Sequence, residues 1–449
     1  MECDVLIIGG GLAGRNAAAE LREKYPRLQT VIVDAGGCAS TEIMGFCAPV
    51  MPGDSPECFA ADILKTGAGA NSPELAYTLA ERALPEMKRL ENAGIVFDRE
   101  TDGSYAVIRS IGSSFPRVVH SGTTTGKQAM KLLDFPVRKC RICRLLKGPS
   151  GKIAGAVSAD GEIFRAKAVI IAAGGFAGLW EFSTWSKSLR GDLLIQAMEI
   201  GAELCNLGCV QFEPTVTVSP AAAKGFPVIT TLLHEGAKLY DAAGNDLVAD
   251  DVPPKRELAM RIQQAIEDGH GFENGGVCYD LSGVEEEVLK RKYPEYLKKY
   301  LQWFPDVKSI RFEVRPGAHT TLGGIRIQAD CSTSVPGLFA AGEAVGNLHG
   351  RDRLGGNAGL EVFVFGRIAG ASAGKYADGK SELEDFTDVP HTEEEITQNV
   401  LSSCFTPLPD REKLRQGAAE LEKLPQTAQI RFIKQVFQDK LKDFFSGVL

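Results

Sequence analysis

The stretch DVLIIGGGLAGRNAAAELREKY, residues 4–25, constrains the fold of this chain more than any other. DVLIIG is an unbroken apolar run closed by glycine, the pattern of a strand buried on both faces of a parallel sheet. The next residues are small at the turn and then helical in period, with alanines along one side. TVIVDA at 30–35 is a second buried strand that ends in an acid. Strand, glycine turn, helix, strand and acid make one βαβ unit. Within it Gly9, Gly11 and Gly14 form GxGxxG between strand and helix, and Asp34 stands about 20 residues later. The first glycine permits the tight turn, the second lets the backbone approach a pyrophosphate, and the third allows close helix–strand packing. The helix N-terminus attracts the anion, and Asp34 is placed to accept hydrogen bonds from an adenosine ribose.

At 449 residues the chain exceeds the usual ~100–200 residues of one domain, so two or three modules are expected. The net charge of -8 and pI near 5.5 disfavour nucleic acid and anionic membranes, which repel a negative field. Small-molecule work is the better default. MECDVLIIGG enters a strand at once, with no basic leader, twin arginine or apolar helix before it, so a cytoplasmic protein without an integral membrane segment is expected. Eleven scattered cysteines, an odd number, suit reduced thiols. Cys140 and Cys143 form the one CxxC, and with no second pair at zinc spacing they read as incidental, so no metal is expected.

Further along, residues 73–94 read as an amphipathic helix that Pro85 kinks or divides. Residues 144–173 read as strand, turn, strand, turn and a third apolar strand that returns to the first sheet. From about 212 to 317 charged helices alternate with proline-containing segments, the texture of an inserted α+β domain. A glycine-rich stretch, GAHTTLGGIRI to GLFAAGEAVG, then completes the first domain and ends in the helix-like GLEVFVFGRIAGASAG. After about 384 the chain reads as polar and helical, without repeats.

AAGGFAG (172–178), SLRGD (188–192), GAHTTLGGI (317–325), GLFAAGEAVG (337–346) and HGRDRLGGNAGLEVFVFGR (349–367) keep their order and resemble the flavoprotein subunit of fumarate reductase and succinate dehydrogenase, and the related L-aspartate oxidase. RVVHSGTTTG, LLHEGAKL and KRELAMRI extend the resemblance over nearly residues 4–375. It implies an α/β fold: a Rossmann-like FAD-binding domain at 1–211 and 318–383, an inserted α+β capping domain at 212–317 that meets substrate, and a short helical C-terminal region at 384–449. It implies FAD held by Gly9, Gly11, Gly14, Asp34, Ser40, Thr41, Asp192, Glu343, Ala358 and Gly359. Complex II relatives attach FAD through a histidine near the position of Thr41. The first histidine here is His120, so noncovalent FAD is expected.

In this family hydride passes between flavin N5 and a substrate carbon while an arginine handles the proton on the other carbon; Arg256 matches it. Glu235 and Lys238 stand where the family places a glutamate and an arginine as proton relay. His319 and Arg353 match the pair that grips a substrate carboxylate, as imidazolium and forked guanidinium would. In dicarboxylate-using relatives QFHPT supplies a histidine for the second carboxylate, helped by a threonine; here those positions are Glu213 and His234. An ionised Glu213 beside a substrate carboxylate would cost on the order of 1–4 kcal/mol, which argues against plain fumarate unless Glu213 is protonated or pairs with His234.

The leading expectation is an FAD-dependent oxidoreductase acting on CH–CH bonds, reducing the C=C bond of an α,β-unsaturated carboxylate. Alternatives are the flavoprotein subunit of a succinate dehydrogenase or fumarate reductase complex in electron transport, an L-aspartate oxidase-like amino-acid oxidase, and a non-catalytic flavin-binding protein. The partners expected are a small carboxylate-bearing substrate, with room for an electron-transfer protein, and no nucleic acid. The complex reading needs an iron–sulfur partner, because this chain carries no cluster motif.

Overall fold

The computed structural model describes residues 1–110, 112–185, 188–249, 251–379, 382–386, 398–408 and 410–445. The opening βαβ unit forms as expected: strand β1 (Glu2–Ile8), helix α1 (Leu12–Lys24) and strand β2 (Thr30–Asp34). β1 lies between β2 and the Ile163–Ile171 strand, parallel to both, with Ile8 opposite Val33 on one side and Ile171 on the other. The 142–171 segment is the three-stranded meander read from its turns, and its last strand returns beside β1. The distant Leu338–Ala340 strand then adds parallel to Ile163–Ile171, which closes a seven-stranded sheet. Apolar side chains on both faces make these strands the centre of the main core.

α1 lies against the long Asn357–Asp378 helix, and small residues explain how closely. A Cβ on Gly366 would stand 2.6 Å from Ala13 O, and one on Gly370 would stand 2.4 Å from Ala17 O. The alanines of α1 therefore face glycines four residues apart on the partner helix, and the two backbones meet.

The inserted region has its own core, running from Ala223 to Val314. Its four-stranded antiparallel sheet has the order Val210–Ser219, Arg311–Thr321, Val277–Asp280, Lys238–Tyr240. The two long strands run through the sequence-derived limits at 211/212 and 317/318: Val210, Phe212 and Ala318 pack with the main core, and Phe312 and Val314 with the inserted core. The Lys255–Ala265 helix packs on this sheet through Leu258, Ala259 and Ile262.

Two expectations are corrected. Pro85 does not divide its helix, which runs unbroken from Pro73 to Asn92. The lost hydrogen bond is outweighed by the buried stripe Leu79, Ala80, Ala83, Met87 and Leu90 on both sides of the proline. The C-terminal region, of which 387–397 lies outside the described residues, is not merely polar. Its helices Gln398–Cys404, Arg411–Glu422 and Ala428–Phe445 bury Leu401, Leu414, Phe432, Ile433 and Phe437 in the main core. Phe405 meets Trp180 edge to face at 5.5 Å. A helical period spread these apolar residues among charges, so the stretch read as polar. No helix among the described residues is long and apolar enough to cross a membrane.

Gly370→Val tests the backbone contact. The added side chain must push the helices apart, so the urea midpoint should fall by an amount equivalent to about 1–3 kcal/mol, the usual range for overpacking. An unchanged midpoint would show that the helices are not in contact there.

Candidate active site

The glycine turn has the geometry its sequence predicts. Gly9 has φ 121, in the left-handed half of the map, and a Cβ there would stand 2.1 Å from Ala172 O. A Cβ on Gly14 would stand 2.0 Å from Gly9 O, so only glycine lets α1 start this near the strand. Gly11 caps α1 with no side-chain hydrogen bond, which leaves first-turn N–H groups facing the turn. Ser40 Oγ accepts from Leu12 N at 2.9 Å, and Asp34 accepts from the N–H groups of Gly10 and Gly36. Thr41 follows Ser40 and bonds locally to Cys38 O and Glu42.

Two distant segments bring in further predicted residues, one against the start of α1 and one against residues 43–47. Glu343 accepts from Thr321 N and Oγ1 at 3.0 and 3.1 Å, and burial nevertheless lifts its pKa to about 7. The neighbouring Gly342 stands against Ala13 at the start of α1. Ala358 and Gly359 occupy the first turn of the Asn357–Asp378 helix, whose N-cap Gly356 has φ 89. Asp192 is the exception: it opens the Asp192–Glu199 helix and pairs with Arg141 at 3.0 Å, not with any of the other predicted cofactor residues.

The fit of these residues to FAD is testable on the chain's own unmet groups. Asn357 is 1% exposed, yet neither its Nδ2 nor its Oδ1 has a hydrogen-bond partner among the described residues. Burying both ends of an amide without partners costs several kcal/mol, about 1–3 for each group, so a polar ligand is called for at this helix start. A glycine cradle, an uncapped helix N-terminus and an unsatisfied amide suit a dinucleotide. Asn357 was missed by sequence reasoning although it sits inside GGNAG beside Ala358.

The predicted substrate residues lie on the strands and turn next to this cradle. Glu213 pairs with Gly317 across the two long strands, and His319 stands two residues further on at a bulge between the Ala318 and Thr320 pairings, near enough for Glu213 to act on its charge. His319 Nδ1 is 2.8 Å from Thr184 Oγ1, its ring stacks on Trp185 at 5.6 Å, and its carbonyl accepts from the Trp185 indole N–H. Burial lowers the His319 pKa to about 4; Glu213 opposes that shift while Arg353 and Lys255 add to it. The expected imidazolium is therefore corrected to a neutral imidazole at pH 7.

Arg353 occupies a turn held by Gln211, whose amide donates to Asp352 Oδ1 and, at 3.2 Å, to Arg353 O. Its guanidinium makes one long contact, 3.5 Å to Leu354 O, and its buried Nε has no partner among the described residues. Glu361, Glu343 and Asp352 favour its charge from further away, while burial pulls its pKa down. No carboxylate lies within ion-pair distance of it among the described residues.

Glu213 is buried, and of the two ways to relieve its charge the pairing with His234 does not occur. Lys255 Nζ donates to Glu213 Oε2 at 2.6 Å, while His234 is exposed on the Thr230–Glu235 turn. The lysine reaches Glu213 because it opens the helix packed on the same sheet. It stands next to Arg256 in sequence, which was the available signal.

Arg256, Glu235 and Lys238 are not joined to one another by a hydrogen bond or ion pair. Arg256 and Lys238 are exposed, and Glu235 is taken by Lys292 at 2.7 Å with Tyr293 Oη at 3.5 Å, which holds its carboxyl below the usual range. Thr184 and Trp185 carried no sequence signal, and Gln211, though it opens the QFEPT segment, was assigned no role.

The model of a family described as "FAD binding domain" matches residues 4–358. The chain is 33% identical over 442 residues to a subunit of the CoM/CoB fumarate reductase of Methanothermobacter marburgensis, covering 93% of this chain and 80% of that protein. It is 30% identical over 446 residues to the L-aspartate oxidase of Caulobacter vibrioides, covering 93% and 86%. Among solved structures, Mycobacterium smegmatis Sdh1 in complex with UQ1 superposes with a TM-score of 0.83 at 25% identity, covering 100% of this chain and 86% of that one. This chain belongs to the FAD-binding family matched over residues 4–358 and is an FAD-dependent oxidoreductase of the fumarate reductase and succinate dehydrogenase flavoprotein type, with L-aspartate oxidases among its relatives.

Proposed function

We propose that the enzyme reduces the C=C bond of an α,β-unsaturated carboxylate, holding the carboxylate with Arg353 and His319 and adding a proton from Arg256. FAD, when bound and reduced, supplies the hydride. The observation that carries this reading is the Arg353 guanidinium, a permanent cation with a buried Nε and no carboxylate partner among the described residues. Such a group calls for an anion, and its planar fork matches a carboxylate with two parallel hydrogen bonds. The neutral His319 suits the same ligand: a Thr184 hydroxyl that donates to Nδ1 leaves the ring proton on Nε2, where it can donate to a carboxylate oxygen. Trp185 stacks on the ring and Gln211 steadies the Arg353 turn, so both groups are held before substrate arrives.

Arg256 stands one residue after Lys255, whose ammonium reaches Glu213 and lies near enough to His319 to act on its charge. Its exposure lets solvent replace the proton it gives. Glu235 and Lys238 serve as relay only after Glu235 exchanges Lys292 for Arg256. With Thr41 where complex II relatives carry the linking histidine, FAD is held without a covalent bond. The methanogen relative is one subunit of a fumarate reductase, which supports an electron-transfer partner protein for this chain as well.

Arg256→Ala should abolish reoxidation of the reduced enzyme by enoates while the visible spectrum still reports bound FAD; retained turnover removes Arg256 from its role. Arg353→Lys keeps the charge and loses the fork, so kcat/KM for the enoate should fall by the equivalent of about 2–5 kcal/mol, measured by steady-state kinetics. A bound carboxylate raises the His319 pKa from about 4, so binding takes up a proton. Carboxylate affinity should therefore rise as pH falls from 7 towards 5, a dependence that His319→Gln removes; a flat profile in the parent enzyme contradicts it.

A further inference from the structure

Lys255 and Glu213 form an ion pair that neither composition nor motif singles out as one unit, and it lies beside the strand position of His319, near enough for both charges to act on that ring. The two partners differ sharply: the Glu213 side chain is 6% exposed and the Lys255 side chain 56%. Lys255 is also the first residue of its helix, a position where the helix dipole disfavours a cation. Its compensation is Glu213. Glu213 Oε2 takes the ammonium, and no hydrogen bond to Oε1 is found among the described residues, so one acceptor remains available.

We propose that this pair receives the end of the substrate remote from the gripped carboxylate and selects enoates that bear one carboxylate and a hydrogen-bond donor, a hydroxyl or an amide N–H, at the other end. The inference rests on the enoate-reductase reading. A second carboxylate at that place meets Lys255, whose ammonium Glu213 already holds, and must draw it from Glu213. That would leave a buried carboxylate uncompensated, which is the costly way to break such a pair. A hydroxyl or amide instead donates to Glu213 Oε1 and leaves the ion pair intact. Diacids are thus rejected by the charge they strand, and donor-bearing monoacids are accepted by an oxygen already in place.

The test uses the FAD-loaded enzyme in two measurements. Anaerobically reduced enzyme is mixed in stopped flow with fumarate, its monoamide and 4-hydroxybut-2-enoate. Oxidised enzyme is titrated with succinate and with its monoamide, and the flavin absorbance change gives Kd. The monoamide and the hydroxy acid should reoxidise the flavin at least about tenfold faster than fumarate, and the saturated monoamide should bind at least about tenfold tighter than succinate, equivalent to ~1.4 kcal/mol. In Glu213→Gln, Lys255 is free for a second carboxylate, so the preference should shrink or reverse in both measurements. Equal rates and equal affinities for diacid and monoamide in the parent enzyme overturn the inference and leave the enoate reading standing. Failure of every enoate to reoxidise the flavin overturns both. Where Glu213→Gln does not retain FAD, the two measurements on the parent enzyme decide alone.

Discussion

Contact between the backbones of α1 and the Asn357–Asp378 helix is the constraint on which the rest of the molecule depends. Gly366 and Gly370 of the long helix each let a carbonyl of α1 come where a methyl group would otherwise stand: a Cβ on Gly370 would lie 2.4 Å from Ala17 O. That approach brings residues some 350 positions apart in the chain into contact. Ala13 meets Gly366 and Ala17 meets Gly370, so the helices run parallel and the start of the long helix, with Gly356 as its N-cap, lies beyond that of α1, with Gly11 as its N-cap. One positive helix end suits a pyrophosphate, and the other, with its unsatisfied Asn357 amide, suits a polar ring edge.

The electrostatics next to the cradle follow from burial more than from charge count. Arg353 keeps its charge in a turn held by Gln211, with no carboxylate against it among the described residues, while His319 loses its proton because burial outweighs Glu213. Glu213 survives as an acid in an apolar strand because Lys255 arrives from the capping helix. The ionised-acid argument against a dicarboxylate therefore changes form: the obstacle is a partnered carboxylate that resists losing its partner, rather than a bare negative charge.

The dinucleotide fold was legible because its requirements are local. A tight turn, a close helix and an acid after the second strand each demand particular residue types at fixed spacing, and DVLIIGGGLAG supplies the first two within a dozen positions. The resemblance added the order of the motifs and so placed Arg353, His319 and Glu343 in one site. What escaped was held by partners remote in sequence: Thr184 and Trp185 on His319, Gln211 on the Arg353 turn, and the apolar face of the C-terminal helices on Trp180. Thr184 and Trp185 follow no period or motif, and although Gln211 lies in QFEPT and the C-terminal apolar residues keep a helical period, neither pattern names the partner. The Arg256, Glu235 and Lys238 trio was named by position alone, and a competing lysine, Lys292, holds Glu235.

By itself the sequence determined the chain's architecture around β1 and α1, its FAD-binding family and the departure of Glu213 from the family's histidine, because glycine, alternation and motif order are properties of residues along a line. Only the tertiary structure decided what Glu213 pairs with. Lys255 and His234 both lie within some 45 positions of it in sequence, and which of them reaches it depends on how a helix packs across a sheet. An ion pair forms where two charges are brought within a few ångströms in a dry setting, and that distance is set by packing, not by spacing along the chain.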